Sequence, residues 1–169
     1  MALDTNVKNF AQGTITLSDG TGSPVSLILT LDKGTLAIEG LKKVLRETVK
    51  YERRGLLHTV SLANRIYPTL SFEAMVSEFS NASAGVVTDF LLGNAAYSAN
   101  VSTLGSSHLV FTCKLTFDLE GTDTGGNDSQ VVCDDVDFTF NFSEGDPNMF
   151  SISGEILGAV TGDLAAAET

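Results

Sequence analysis

Two stretches in the second half of the chain alternate so regularly between apolar and polar residues that they dictate strand. Phe111, Cys113, Leu115, Phe117 and Leu119 alternate with Thr112, Lys114, Thr116 and Asp118. Further on, Val132, Val136, Phe138, Phe140 and Phe142 share one parity, while Cys133, Asp135, Asp137, Thr139 and Asn141 share the other. Successive side chains of a strand point to opposite faces, so each run requires a sheet with one buried and one wet side. The Gly, Asp and Asn cluster from Glu120 to Asp128 joins the two runs as a hairpin. Within the second run Asp134 falls on the phenylalanine parity, which places the strand's start after it.

The same period recurs along the rest of the chain, broken by turn residues. Strands are expected at Gly13–Leu17, Val25–Leu31, Thr35–Ile38, Leu56–Tyr67, Thr69–Val76 and Phe150–Leu157. Leu41 to Tyr51 reads either as a strand or as a loop ordered by a partner, because Lys43, Glu47 and Val44 blur its alternation. Pro68 lacks an N–H donor and separates two strands. One helix is expected over Ser83–Leu92, capped by Asn81 or Ser83, with Val86, Val87, Phe90 and Leu91 at helical spacing and Gly93 closing it. The reading is a mainly β domain, a sandwich or barrel with one flanking helix, spanning residues 1–169 with a frayed tail at 163–169. At 169 residues such a fold buries about 70% of its unfolded surface and needs no disulfide framework. No run approaches the length of a membrane span. The opening MALDTNVKNF lacks an apolar signal core, so no secretory leader is expected.

Cys113 and Cys133 are too few for a disulfide framework and wrongly spaced for zinc. Cys113 lies on the apolar side of its run and Cys133 on the polar side of the other. Unless a bulge shifts the register, the two thiols are therefore expected on opposite faces, unpaired, in a reducing compartment.

Ten basic and 21 acidic residues give a net charge of −11, which argues against a grip on nucleic acid through neutralised phosphates. Their distribution is uneven. Residues 33–65 hold eight cations against Glu39, Glu47 and Glu52, whereas 113–169 hold twelve acids against Lys114. One sign often collects on a solvated face, and the split also suits a chain that binds copies of itself, basic segment to acidic segment.

Catalytic constellations are lacking. His58 and His108 cannot build a multi-histidine site, and no nucleophile elbow or phosphate-cradling glycine loop occurs. Asp123, Asn127 and Asp128 could offer oxygens to calcium, but their order is not that of an EF-hand and such loops are turn chemistry first. The chain is read as a non-enzyme without cofactor or metal.

At Tyr51-Glu52-Arg53-Arg54-Gly55, followed by Ser61, Asn64-Arg65, Pro68 and Leu70-Ser71-Phe72-Glu73-Ala74, the sequence resembles the tail-tube (major tail) proteins of long-tailed bacteriophages. The order of elements agrees over most of residues 10–157. The resemblance implies a structural virion protein, assembled in the host cytoplasm as stacked hexameric rings that form a conduit for DNA. Its partners would be copies of itself and tail proteins such as the tape measure and tail terminator, with DNA passing unheld and no membrane involved. A long inter-subunit loop would fall at 32–54, carrying Lys42, Lys43, Arg46, Lys50, Arg53 and Arg54. Asp135 and Asp137 would face the lumen, where like charge lets the polymer slide. The candidate lumen strands carry Thr and Phe rather than an unbroken acidic ladder. The alternative is a β-sandwich binding module, such as a capsid-decoration or carbohydrate-binding domain, for which Tyr51, Tyr67 and Tyr97 without any Trp make a thin aromatic platform.

Overall fold

The computed structural model describes residues 13–29, 32–76, 79–81, 85–105, 109–119 and 129–162. The protein is mainly β, with a large antiparallel sheet and, among the described residues, a single short α-helix. Strands β1 (Gly13–Ser18), β2 (Ser26–Leu29), β3 (Ala37–Glu39), β6 (Thr69–Met75), β7 (Thr112–Leu119), β8 (Ser129–Ser143) and β9 (Met149–Ile156) lie in the order β2-β1-β7-β8-β9-β6-β3. A further short strand, β10 (Val160–Gly162), also pairs with β8. Among the described residues, strands β4 (Arg46–Arg53) and β5 (Leu56–Arg65) pair only with each other. Helix α1 covers Val87–Leu92.

Alternation makes the core. Ile15 and Leu17 of β1, Leu115 of β7, Leu70 and Phe72 of β6, and Phe150, Ile152 and Ile156 of β9 all point to one face and are buried in a single cluster. A six-residue helix is only about 9 Å long, while seven paired strands span about 30 Å, so α1 cannot be the second layer by itself. The sheet must curl over its own apolar face, in a sandwich-like arrangement, with Phe90 and Tyr97 filling the side near β2.

Strand β8 departs from the expected parity at one residue. Cys113 pairs with Val136 and Leu115 with Cys133, so one residue of β7, Lys114, faces two of β8, Asp134 and Asp135, and Asp135 takes φ 52°. This is a β-bulge. It turns Val131 and Cys133 inward on one side of the kink and Val136 inward on the other, so Val132 does not share the Val136 face. The expectation that the two thiols lie on opposite faces is therefore wrong: Cys113 and Cys133 are both buried in the same core, unbridged. Burial, with the Asp134 carboxylate nearby, pushes the Cys133 thiol up to about 12, and burial with Asp19 raises Cys113 as well. Strand β8 also begins earlier than Asp134, because the bulge absorbs the odd residue.

The bulge sits where β8 changes neighbours. Val136–Ser143 pair with β9, whereas Val131–Cys133 pair with β10. The crossing chain is tied there by Asp134 N–H to Ala159 O (2.9 Å), Gly158 N–H to Asp134 O (3.1 Å) and Leu157 N–H to Asp135 O (3.0 Å). A Cβ on Gly158 would lie 2.6 Å from the Asp134 oxygen, so only glycine fits.

Two further expectations need adjustment. Val86, not Asn81 or Ser83, is the N-cap of α1, without a side-chain cap, and Ser83 lies outside the described residues. Its apolar stripe does meet the core, and Gly93 closes it in the left-handed region at φ 62°. Phe142, expected inside with Phe138 and Phe140, is 47% exposed. At 15 residues β8 extends about 50 Å, past the depth of the core, and only its middle is covered.

Candidate functional site: an exposed arm and an acidic sheet face

The β4–β5 hairpin is the most unusual element. Its turn is Arg54-Gly55, with φ 52° and 79°, between the paired residues Arg53 and Leu56. Positive φ at both central residues of a two-residue loop matches the right-handed twist of the flanking strands, which is why Gly is required at the second. At its base Leu45 is fully buried, its carbonyl accepts from Ile66 N–H (2.9 Å), and Arg65 Nη2 donates to Gly158 O (3.2 Å). The Arg65 guanidinium also sits 4.9 Å from the Tyr67 ring centroid. Beyond that base the arm leaves the domain.

Both faces of the arm are open. Thr48 stands beside Leu62 and Lys50 beside Val60, while Val49 stands beside Ser61 and Tyr51 beside Thr59. Leu56 is 75% exposed, Leu57 59%, and Tyr51, Val60 and Leu62 about half. Hairpins that stand alone in water are marginal, and an eight- to ten-residue pair with two unpaired edges is the kind of surface that other chains cover. Of the cations named from sequence, Arg46, Lys50 and Arg53 lie on β4 and Arg54 on the turn, whereas Lys42 and Lys43 lie in the connection before the arm. The segment 32–54 therefore holds two strands, β3 and β4, and the second becomes half of the arm. Among the described residues none of Arg46, Lys50, Arg53 and Arg54 reaches a carboxylate within ion-pair distance. Sequence reading missed the apolar half of this surface, Leu56, Leu57, Val60 and Leu62. The signal available was the Leu56-Leu57 pair beside a turn, which no single buried face accommodates.

The second surface is the outer face of the sheet. Thr139 pairs with Ser153, Asn141 with Ser151, and Ser71 with Ser153, so three neighbouring strands present short hydroxyl and amide side chains. A shallow hollow of about 410 Å³ lies there, lined by Thr35, Ser71, Glu73, Asn141, Ser151 and Ser153. Asp137 stands beside it, opposite Glu155. Asp135 does not share this ladder: it occupies the bulge, beside Gly158. Lys114 pairs with Asp134 at 3.4 Å.

Chemistry beyond charge and hydroxyls is sparse. Among the described residues no group of three or more His, Cys, Asp or Glu is placed to hold a metal ion. His58 is exposed on the arm, and His108, Asp123, Asn127 and Asp128 lie outside the described residues. Also among the described residues, no helix is long and apolar enough to cross a membrane. No family model, curated protein or solved structure matches the chain.

Proposed function

We propose that this chain is a structural subunit that assembles with copies of itself, and more finely a tail-tube protein whose hexameric rings stack into a conduit for DNA in a bacteriophage tail. The observation that carries the reading is the β4–β5 arm, anchored at Leu45 and Arg65 and exposing leucines, valine and arginines on a protein that is otherwise strongly acidic. A side chain such as Leu56, three-quarters in water, gains about 1.5–3 kcal/mol when buried against a neighbour. The cations Lys42, Lys43, Arg46, Lys50, Arg53 and Arg54 would meet acids of the next copy. In this reading the outer face with Asp137 and Glu155 faces the lumen, where carboxylates and hydroxyls repel or ignore phosphate. Asp135, at the bulge, serves the same wall only at its margin.

Sedimentation velocity and negative-stain microscopy of the purified chain test it, over a range of protein and salt concentrations. Rings or tubes are expected. A uniform monomer at every concentration and salt would remove the reading. A second reading, a carbohydrate-binding module, is favoured by the hydroxyl-lined hollow with Glu73; saturable binding to a glycan array by a chain that stays monomeric would select it.

A further inference from the structure

The arm needs a receiving surface, and one end of the sheet has the matching chemistry. Phe79 (59% exposed) and Phe142 (47% exposed) stack edge to face with centroids 5.2 Å apart. Both also pack on Phe150, at 6.1 and 6.0 Å, and Phe150 is buried. The patch is therefore the outer end of an aromatic column rooted in the core. Its backbone is held in place too. The Thr88 hydroxyl donates to Phe79 O (2.6 Å), and the Asp89 carboxylate accepts from Asn81 N–H (2.8 Å), Thr88 and Asp89 both being buried on α1. Two buried polar side chains thus fix a segment whose phenylalanine points into water. Immediately past Phe142 the β8–β9 turn adds the exposed carboxylates Glu144 and Asp146.

We infer that the Arg53-Arg54-Gly55-Leu56-Leu57 tip of one copy docks on the Phe79–Phe142 end of a second copy, leucines on the rings and arginines on Glu144 and Asp146. The inference rests on the self-assembly reading and names its contact. At this end exposed rings and exposed carboxylates lie on the same short stretch of chain, Phe142 followed by Glu144 and Asp146, matching the leucines and arginines of the tip. The hydroxyl face around Asp137 has acids without apolar surface, and exposed Leu92 is followed by uncharged Gly93 and Asn94. The contact joins two different patches, so it is heterologous and propagates into a closed ring or a filament. A hairpin tip is small beside the ~800 Å² per partner of a stable interface, so single contacts dissociate and closure of the ring holds them.

Three chains test it by sedimentation velocity and microscopy: wild type, the arm variant Leu56→Ser/Leu57→Ser, and the end variant Phe79→Ser/Phe142→Thr. Each variant is expected to need roughly tenfold or more protein to assemble. An equimolar mixture of the two can form one intact contact per pair and no closed ring, so it should show no rings or filaments and only a weak, rapidly dissociating heterodimer at high protein concentration. A charge swap is independent of the apolar changes. Arg53→Glu/Arg54→Glu should block assembly at low salt, and adding Glu144→Lys/Asp146→Lys to the same chain should restore it. If wild type assembles but the folded end variant assembles at the same concentration, or the swapped chain is not restored, the contact is wrong while self-assembly stands. If wild type itself never assembles, both fall together.

Discussion

Asp137 on β8 stands directly opposite Glu155 on β9, two carboxylates on the outer face with no cation within ion-pair distance of either among the described residues. Like charges facing each other across an antiparallel pair are destabilising, by about 0.2–1 kcal/mol. The domain keeps that cost on its hydroxyl-rich face. Asp137→Asn is expected to raise stability by a few tenths to about 1 kcal/mol in urea titrations. The gain should shrink in concentrated salt, where the repulsion is already screened. A lower midpoint for Asp137→Asn at low salt would mean that the carboxylate is paired in solution.

A second carboxylate behaves in the opposite way. Asp19 is 3% exposed and, among the described residues, has no cation within ion-pair distance, and burial alone would raise its pKa. Amide donors from Val25 (2.8 Å to Oδ1) and Val101 (3.2 Å to Oδ2), with the Thr21 hydroxyl (2.9 Å), outweigh burial and hold it below the ordinary carboxylate range. A depressed native pKa contributes stability above the unfolded-state pKa, and that stability is lost as pH falls through the native value. Asp19→Asn should cost about 1.5–3 kcal/mol at pH 7, since these are hydrogen bonds to a charged group. The deficit should narrow as pH falls below about 4, where the unfolded wild-type chain takes up a proton that the native carboxylate still resists, and it should close once the native carboxylate itself protonates. A deficit that stays constant from pH 7 to pH 3 would assign the loss to shape rather than charge.

The bulge at Asp135 offers a test of how β8 is built. Its φ of 52° is tolerable for Asp, easy for Gly and poor for a β-branched residue. Asp135→Gly is expected to leave stability equal or higher by several tenths of a kcal/mol, and Asp135→Val to cost about 1–2 kcal/mol. Equal melting of the two variants would show that the backbone there relaxes to negative φ.

That residue also marks the boundary of what the sequence makes legible. Strict alternation on β7, β9 and the second half of β8 was readable because one buried face imposes period two. The bulge was not, because Asp134 and Asp135 form a polar pair whose kink is set by β10, and β10 is three residues long with no pattern of its own. The missing residue of parity sent Cys133 to the wrong face. The arm was half legible: its charges stood out, but a hairpin with no buried side has no alternation to find, so Leu41–Tyr51 read as ambiguous. The acidic face was legible at Asp137, whereas its partner Glu155 depended on register, which only the paired strands supply.

The aromatic column yields the last prediction. Phe150 and Phe142 pair directly across β8 and β9, with rings 6.0 Å apart, yet Phe150 is 2% exposed and Phe142 47%. Phe150→Ala removes a ring enclosed by Phe79, Phe140 and Phe142 and leaves a cavity, at a cost of about 3–5 kcal/mol. Phe142→Ala removes a ring whose outer half is already in water, so the expected cost is about half as large or less, with no enclosed void. Urea denaturation of the two single variants decides between a column that is dry at one end only and one that is buried throughout. Equal losses would mean that Phe142 is covered in solution, as it would be in an assembled form. Repeating the measurement below the assembly concentration should then separate the two costs again, because the cover belongs to the neighbouring copy.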